Sequence, residues 1–173
     1  MTNPFAIFDL PVAFNVDQAI LSERYLALQK SLHPDNFVTA DAQEQRIAMQ
    51  KSTEVNDALK TLKDPILRAE AIIALNTGET QDLEQKSTQD MAFLMQQLEW
   101  REELENIEQS QDENALESFA KRVKKETKEM LTALEEQLNE QQWSTAAQFC
   151  DKLRFLKKLA DEISQVEERL FEL

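Results

Sequence analysis

The sequence predicts an all-α protein on three grounds. Its 173 residues include one glycine and four prolines, too few chain breakers for the turns of a sheet protein. Apolar residues make up 42% of the chain and recur mostly every three or four positions, the spacing of one helical face. The punctuation is also lopsided: Pro4, Pro11, Pro34 and Pro65 all precede Gly78, and neither residue type occurs after it. That change divides the chain into an N-terminal unit over 1–75, a linker over 76–88 and a C-terminal three-helix domain over 89–173.

In the first unit a short helical turn around Pro4–Phe8 stops before Pro11. A second helix opens after Asp17, a suitable N-cap, and runs to Leu32 with the stripe Leu21, Tyr25, Leu28, Leu32. Pro34 ends it by pushing the residue before it out of the helical region. A third helix spans about 41–62, with Asp41 and Glu44 spaced as a cap pair. Its buried face is expected to hold Ile47, Ala48, Val55, Ala58, Leu59 and Leu62. Asp64-Pro65 restarts a short apolar helix, Ile66–Leu75, with Asp at the cap and Pro at the first helical position. Asn76-Thr77-Gly78 closes that helix, since glycine accepts the left-handed conformation a helix end requires. The unit is thus a helical hairpin with short flanking helices.

The second half reads as three helices, about 89–108, 113–138 and 145–171, joined by short polar turns that make neighbours antiparallel in a bundle. The middle helix offers Leu116, Phe119, Val123, Met130, Leu134 and Leu138 to the core. The last offers Phe149, Leu153, Leu156, Ala160, Ile163 and Leu170. The first of the three has two apolar faces. Phe93, Trp100, Leu104 and Ile107 form a stripe along its whole length, while Met91, Leu94, Met95 and Leu98 form a short one nearly opposite. One face suffices for a three-helix bundle. The short stripe therefore needs another cover: the first unit, the end of the chain or a second protein.

Charge narrows the function classes. The net charge is −14, with −3 on residues 1–78 and −11 on 79–173. Phosphate recognition rests on clustered Lys and Arg, so a general nucleic-acid binder is disfavoured, as is docking of the second half on an anionic membrane. The lone Cys150 excludes an internal disulfide and suits a reducing compartment. The N-terminus lacks the basic and apolar regions of a signal peptide, and no stretch approaches the ~20 apolar residues of a membrane span. A cytoplasmic protein is expected.

The only histidine, His33, stands with Pro34 and Asp35 at the tip of the predicted hairpin. Proline stiffens this turn, Asp35 offers a carboxylate to a cation, and His33 offers a ring donor or acceptor. A second signature follows: Glu54-Val55-Asn56-Asp57-Ala58-Leu59-Lys60-Thr61-Leu62-Lys63-Asp64-Pro65, then Arg68-Ala69. Together these make residues 1–75 resemble a J-domain, whose hallmark is His-Pro-Asp between its second and third helices. Further on, 92–104 (AFLMQQLEWREEL) and 152–156 (KLRFL) are similar to the C-terminal domain of the HscB family, J-type co-chaperones of iron–sulfur cluster assembly.

The resemblance implies that the J-domain stimulates the ATPase of the DnaK-type chaperone HscA, and that the C-terminal bundle delivers the scaffold protein IscU to it. It implies a chaperone-binding set of His33, Pro34 and Asp35 with Arg24, Lys30 and Asn36. It also implies a scaffold-binding set of Leu94, Met95, Leu98 and Phe155 with a polar rim of Glu99, Arg101 and Glu102. J-domains often carry lysine after His-Pro-Asp and a basic face on the second helix. Asn36 stands there in this chain, and the second helix offers Arg24 and Lys30, so a smaller basic patch is expected, shared with Lys51.

Other classes fit less well. His33 and Asp35 as base and orienter have no nucleophile, phosphate loop or second histidine beside them, so no enzyme is expected. One cysteine and one histidine cannot supply a four-ligand metal or cluster site, so no metal or cofactor is expected either. The remaining alternative is an all-α interaction adaptor with a J-like fold but no chaperone-stimulating activity.

Overall fold

The computed structural model describes residues 3–78 and 90–171, which form seven α-helices and one 3-10 turn, with no strand among the described residues. The chain divides into two compact units, Met1–Glu79 and Thr80–Leu173. Most of the linker expected over 76–88 lies outside the described residues, but its first two positions are helical and Gly78 is the helix cap.

In the first unit, α1 (Pro4–Ile7) is capped by Asn3, whose side chain accepts from the N–H groups of Phe5 and Ala6. Helix α2 (Gln18–Ser31) starts under Asp17, and α3 (Ala42–Lys63) under Asp41, whose Oδ1 accepts from the Glu44 N–H at 2.7 Å. Asp64 caps α4 (Pro65–Thr77), and Gly78 ends it at φ 73°. Each such cap contributes about 1 kcal/mol, which matters for helices this short. Phe5, Phe8, Leu21, Val55, Leu62 and Ile73 are among the core residues that close over the α2–α3 hairpin. A polar clasp sets its register: Tyr25 Oη and Gln29 Nε2 both donate to Asn56 Oδ1, at 2.8 and 2.7 Å.

Arg68 is the one buried charged residue described. Its Nη1 donates to the Leu62 carbonyl at 2.6 Å, and its guanidinium lies 4.9 Å from the centre of the Phe14 ring. Burial lowers its pKa, and nearby Asp64 partly offsets this. The side chain thereby stitches the end of α3 and the segment before α2 onto α4.

The second unit holds α5 (Met91–Ser110), α6 (Glu113–Asn139) and α7 (Trp143–Phe171). Asp90 and Asp112 cap the first two, and both interhelical turns pass through a left-handed glutamine, Gln111 at φ 55° and Gln141 at φ 59°. The core is built from Phe93, Leu104, Phe119, Leu134, Leu153 and Leu159, with Cys150 fully buried.

Three expectations need correction. Ile47 is 44% exposed: only Ala48 packs inward at that level of α3, which runs past the end of α2. Ala160 is exposed, Phe149 and Leu170 are half-buried, and Leu159 and Val166 are buried instead. Helix α7 packs against both α5 and α6, so its buried arc is wider than a single stripe and turned towards α5. The fourth helix is also two residues longer than expected at its C-terminal end.

Candidate functional site

The His33–Asp35 tip is held from both sides. Pro34–Phe37 forms one 3-10 turn, with the Asn36 N–H donating to the His33 carbonyl at 2.9 Å. The Asn36 side-chain amide reaches back to the carbonyls of Lys30 and Ser31 at the end of α2, at 2.8 and 3.2 Å. From the other side, Gln45 Nε2 on α3 donates to the Phe37 carbonyl at 2.9 Å. Asn36 and Gln45 thus clamp the turn to both helices of the hairpin.

His33 Nδ1 accepts from the Asp35 N–H at 3.2 Å and caps the 3-10 turn. In the neutral ring this puts the proton on Nε2, as a donor. The same nitrogen lies 3.5 Å from Asp35 Oδ2, a contact that becomes an ion pair only when the ring is protonated. The side chains of His33 and Asp35 are 59% and 87% exposed, so both remain available to a partner.

The other residues implied for chaperone binding divide. Lys30 is exposed in the last turn of α2, and Lys51 is exposed on α3. Arg24 is half-buried, and its Nη1 donates to the carbonyls of Phe8 and Asp9 at 2.8 and 2.6 Å. Its guanidinium binds the chain's own N-terminal turn, and the Asn36 amide is likewise turned inward. Beside the tip, Val38 and Met49 are 72% and 71% exposed and line a shallow apolar groove with Leu32 and Phe37. The resemblance gave no sign of these, because loop valines and surface methionines carry no motif.

On the second unit, the two stripes of α5 separate as their spacing implies. Phe93, Leu104 and Ile107 are buried and Trp100 half-buried, whereas Met91, Met95 and Leu98 are exposed and Leu94 is half-buried. Glu99 and Glu102 are exposed beside this apolar strip. Arg101 is held by Glu162 of α7 at 3.0 Å and lies 5.6 Å from the Phe155 ring centre. Phe155 is 8% exposed and packs between Phe93 and Trp100, with ring centres 5.9 and 6.4 Å away. Phe155, implied above as a scaffold contact, is therefore an interior residue, covered by Arg101. Glu162, which fixes Arg101, is a member of this surface that no sequence pattern announced.

No group of three or more metal-binding side chains occurs among the described residues, and no described helix is long and apolar enough to cross a membrane. The fold and its exposed turn define an all-α co-chaperone architecture, a J-domain hairpin followed by a three-helix bundle. Residues 89–164 match the family model described as the HSCB C-terminal oligomerisation domain. The chain is 70% identical over 173 residues to the co-chaperone protein HscB homolog of Haemophilus influenzae, covering 100% of this chain and 99% of that one. It is 62% identical to the homolog of Pasteurella multocida, over 98% of this chain and 99% of that one. Among solved structures, chaperone HscB from Vibrio cholerae superposes with a TM-score of 0.88 at 40% identity, covering 98% of this chain and 100% of that one. Human co-chaperone protein HscB gives 0.86 at 27%, covering 100% and 84%. The chain belongs to the HscB family of co-chaperones.

Proposed function

We propose that this protein stimulates the ATPase of the DnaK-type chaperone HscA through a J-domain over 1–75, and delivers the iron–sulfur scaffold IscU to it on a bundle over 89–173. One observation carries the reading. A clamped, solvent-exposed His33-Pro34-Asp35 turn lies on one unit, and an exposed apolar strip containing Met95 and Leu98 lies on the other. The first suits recognition by a cation on the chaperone. Asp35 accepts charge-assisted hydrogen bonds, His33 Nε2 donates, and the fixed turn has little entropy left to lose on docking. The second suits an apolar client patch, because large side chains left in water forgo about 1.5–3 kcal/mol each relative to burial. Methionine beside leucine adapts to varied partner shapes.

No bond is made or broken on this chain in that scheme. It acts by binding the chaperone's hydrolysis-competent state more tightly than its other states, which is the only way a partner shifts such an equilibrium. The exposed carboxylates Glu99 and Glu102 flank the strip and set the orientation of the scaffold, while Arg101, held by Glu162, offers its remaining donors. The work is cytoplasmic and needs no metal or cofactor of the protein's own. The test is ATP turnover by HscA with IscU present, comparing the wild-type protein with His33→Gln. Loss of stimulation by the variant, with scaffold binding unchanged, supports the reading. Equal stimulation by both removes His33 from the mechanism.

A further inference from the structure

We propose that the groove between α6 and α7 on the side away from α5 docks an acidic amphipathic helix of a partner protein. Helix α5 covers one side of the α6–α7 seam, through Trp100 on Phe119, Arg122 on Glu103 and Arg101 on Glu162. On the other side Leu131 and Ala160, over a floor of the buried Val123 and Ile163, line a groove of about 530 Å³ to which α5 contributes no residue. Two long antiparallel helices present one such groove on each side of their seam. Here one is filled. Ala120 and Ala160 at the rim carry no bulk that would hold a further helix axis away.

Charge selects the occupant. Between residues 121 and 128 the chain places five cations and one carboxylate, in a protein whose net charge is −14. Lys121 pairs with Glu117 one turn back, and Arg122 with Glu103 across the bundle. Lys124 and Lys128, the two cations that line the groove, are exposed and make no ion pair among the described residues. Their ammonium groups lie along one rim, which suits a helix whose apolar stripe is flanked on that side by Glu or Asp. Glu167 on the facing rim gives the groove a polarity and hence the occupant a direction. The site shares no residue with the α5 strip or with the His33 turn, so it does not depend on the function proposed above.

The test uses the full-length protein and a fluorescein-labelled designed helix about six turns long, with leucines on one face, glutamates on the flank that meets Lys124 and Lys128, and glutamines on the flank that meets Glu167. A second peptide carries lysine in place of every glutamate. The acidic peptide is expected to bind, with amide shift changes concentrated at residues 120–131 and 160–167. Lys124→Glu with Lys128→Glu weakens it by about tenfold or more at unchanged helicity. Ala160→Arg, at an exposed position, obstructs the groove without reversing its charge and also weakens binding. The proposal is overturned if the acidic peptide does not bind, if the lysine peptide binds equally well, or if the shifts fall on α5. It is equally overturned if sedimentation shows the groove occupied by a second copy of the chain, with dimerisation abolished by Ala160→Arg.

Discussion

The side-chain amide of Asn36 donates to the carbonyl of Lys30 at 2.8 Å, which ties the His33 turn to the last turn of α2. A lysine at this position would extend the basic patch; Asn36 instead spends its donors on positioning the neighbouring residues. Removing them should loosen the tip without changing what it presents. Asn36→Ala is expected to raise the protein concentration needed for half-maximal stimulation of HscA about fivefold, the equivalent of a hydrogen bond worth ~1 kcal/mol. Maximal turnover should stay the same. Backbone relaxation at residues 33–37 should show increased motion in the free protein. A drop in maximal turnover at unchanged half-saturation would mean that the amide contacts the chaperone directly.

Arg101 and Glu162 form the only described ion pair between α5 and α7 with the arginine over an aromatic ring. Their side chains are 40% and 29% exposed, so solvent screens the pair and a coupling of only about 0.5–1 kcal/mol is expected. A double-mutant cycle with Arg101→Ala and Glu162→Ala, read by urea unfolding, checks this. Glu162→Ala alone should also lower scaffold affinity, because Arg101 is then free to leave the rim. A zero coupling energy together with unchanged affinity would reduce the pair to a surface contact without function.

Much of this architecture was legible because it is written locally. Asp17, Asp41 and Asp64 start their helices by hydrogen bonds spanning two or three residues, and Gly78 ends α4 by its own φ. The two stripes of α5 follow from its own periodicity. What stayed hidden depends on partners distant in the chain. Arg24 is drawn to the Phe8 and Asp9 carbonyls 16 and 15 residues away, and Arg101 to Glu162 across 61. Ile47 has the spacing of a core residue but lies on a face of α3 left open to solvent, and Ala160 lost its place because α7 serves two helices at once. Periodicity reports that a face is apolar and leaves open which element covers it.

The exposed strip on α5 yields a separation of effects. Replacing Leu94, Met95 and Leu98 together by alanine removes apolar contacts from a surface where Met95 and Leu98 are 54% and 64% exposed. Alanine is a better helix former than any of the three, so α5 should remain intact. Affinity for IscU, measured by titration calorimetry, is expected to fall by at least about thirtyfold, roughly 2 kcal/mol. Stimulation of HscA by the variant in the absence of scaffold should match wild type. Unchanged affinity would show that the strip has another partner.

Phe155 belongs to the same implied contact set but should behave differently. Its ring is 8% exposed and sits between Phe93 and Trp100, so truncation leaves a cavity in the bundle. Phe155→Ala is therefore expected to destabilise the second unit by about 3–5 kcal/mol, whereas Leu98→Ala, at an exposed position, should cost well under 1 kcal/mol. Thermal unfolding followed by the fluorescence of Trp100 and Trp143 distinguishes them. Scaffold binding by Phe155→Ala should recover at low temperature to the extent that the bundle is folded, while the Leu98 defect persists at every temperature. If Phe155→Ala melted like wild type yet bound the scaffold weakly, the ring would be a contact residue that turns outward on binding, and Arg101 would have to move with it.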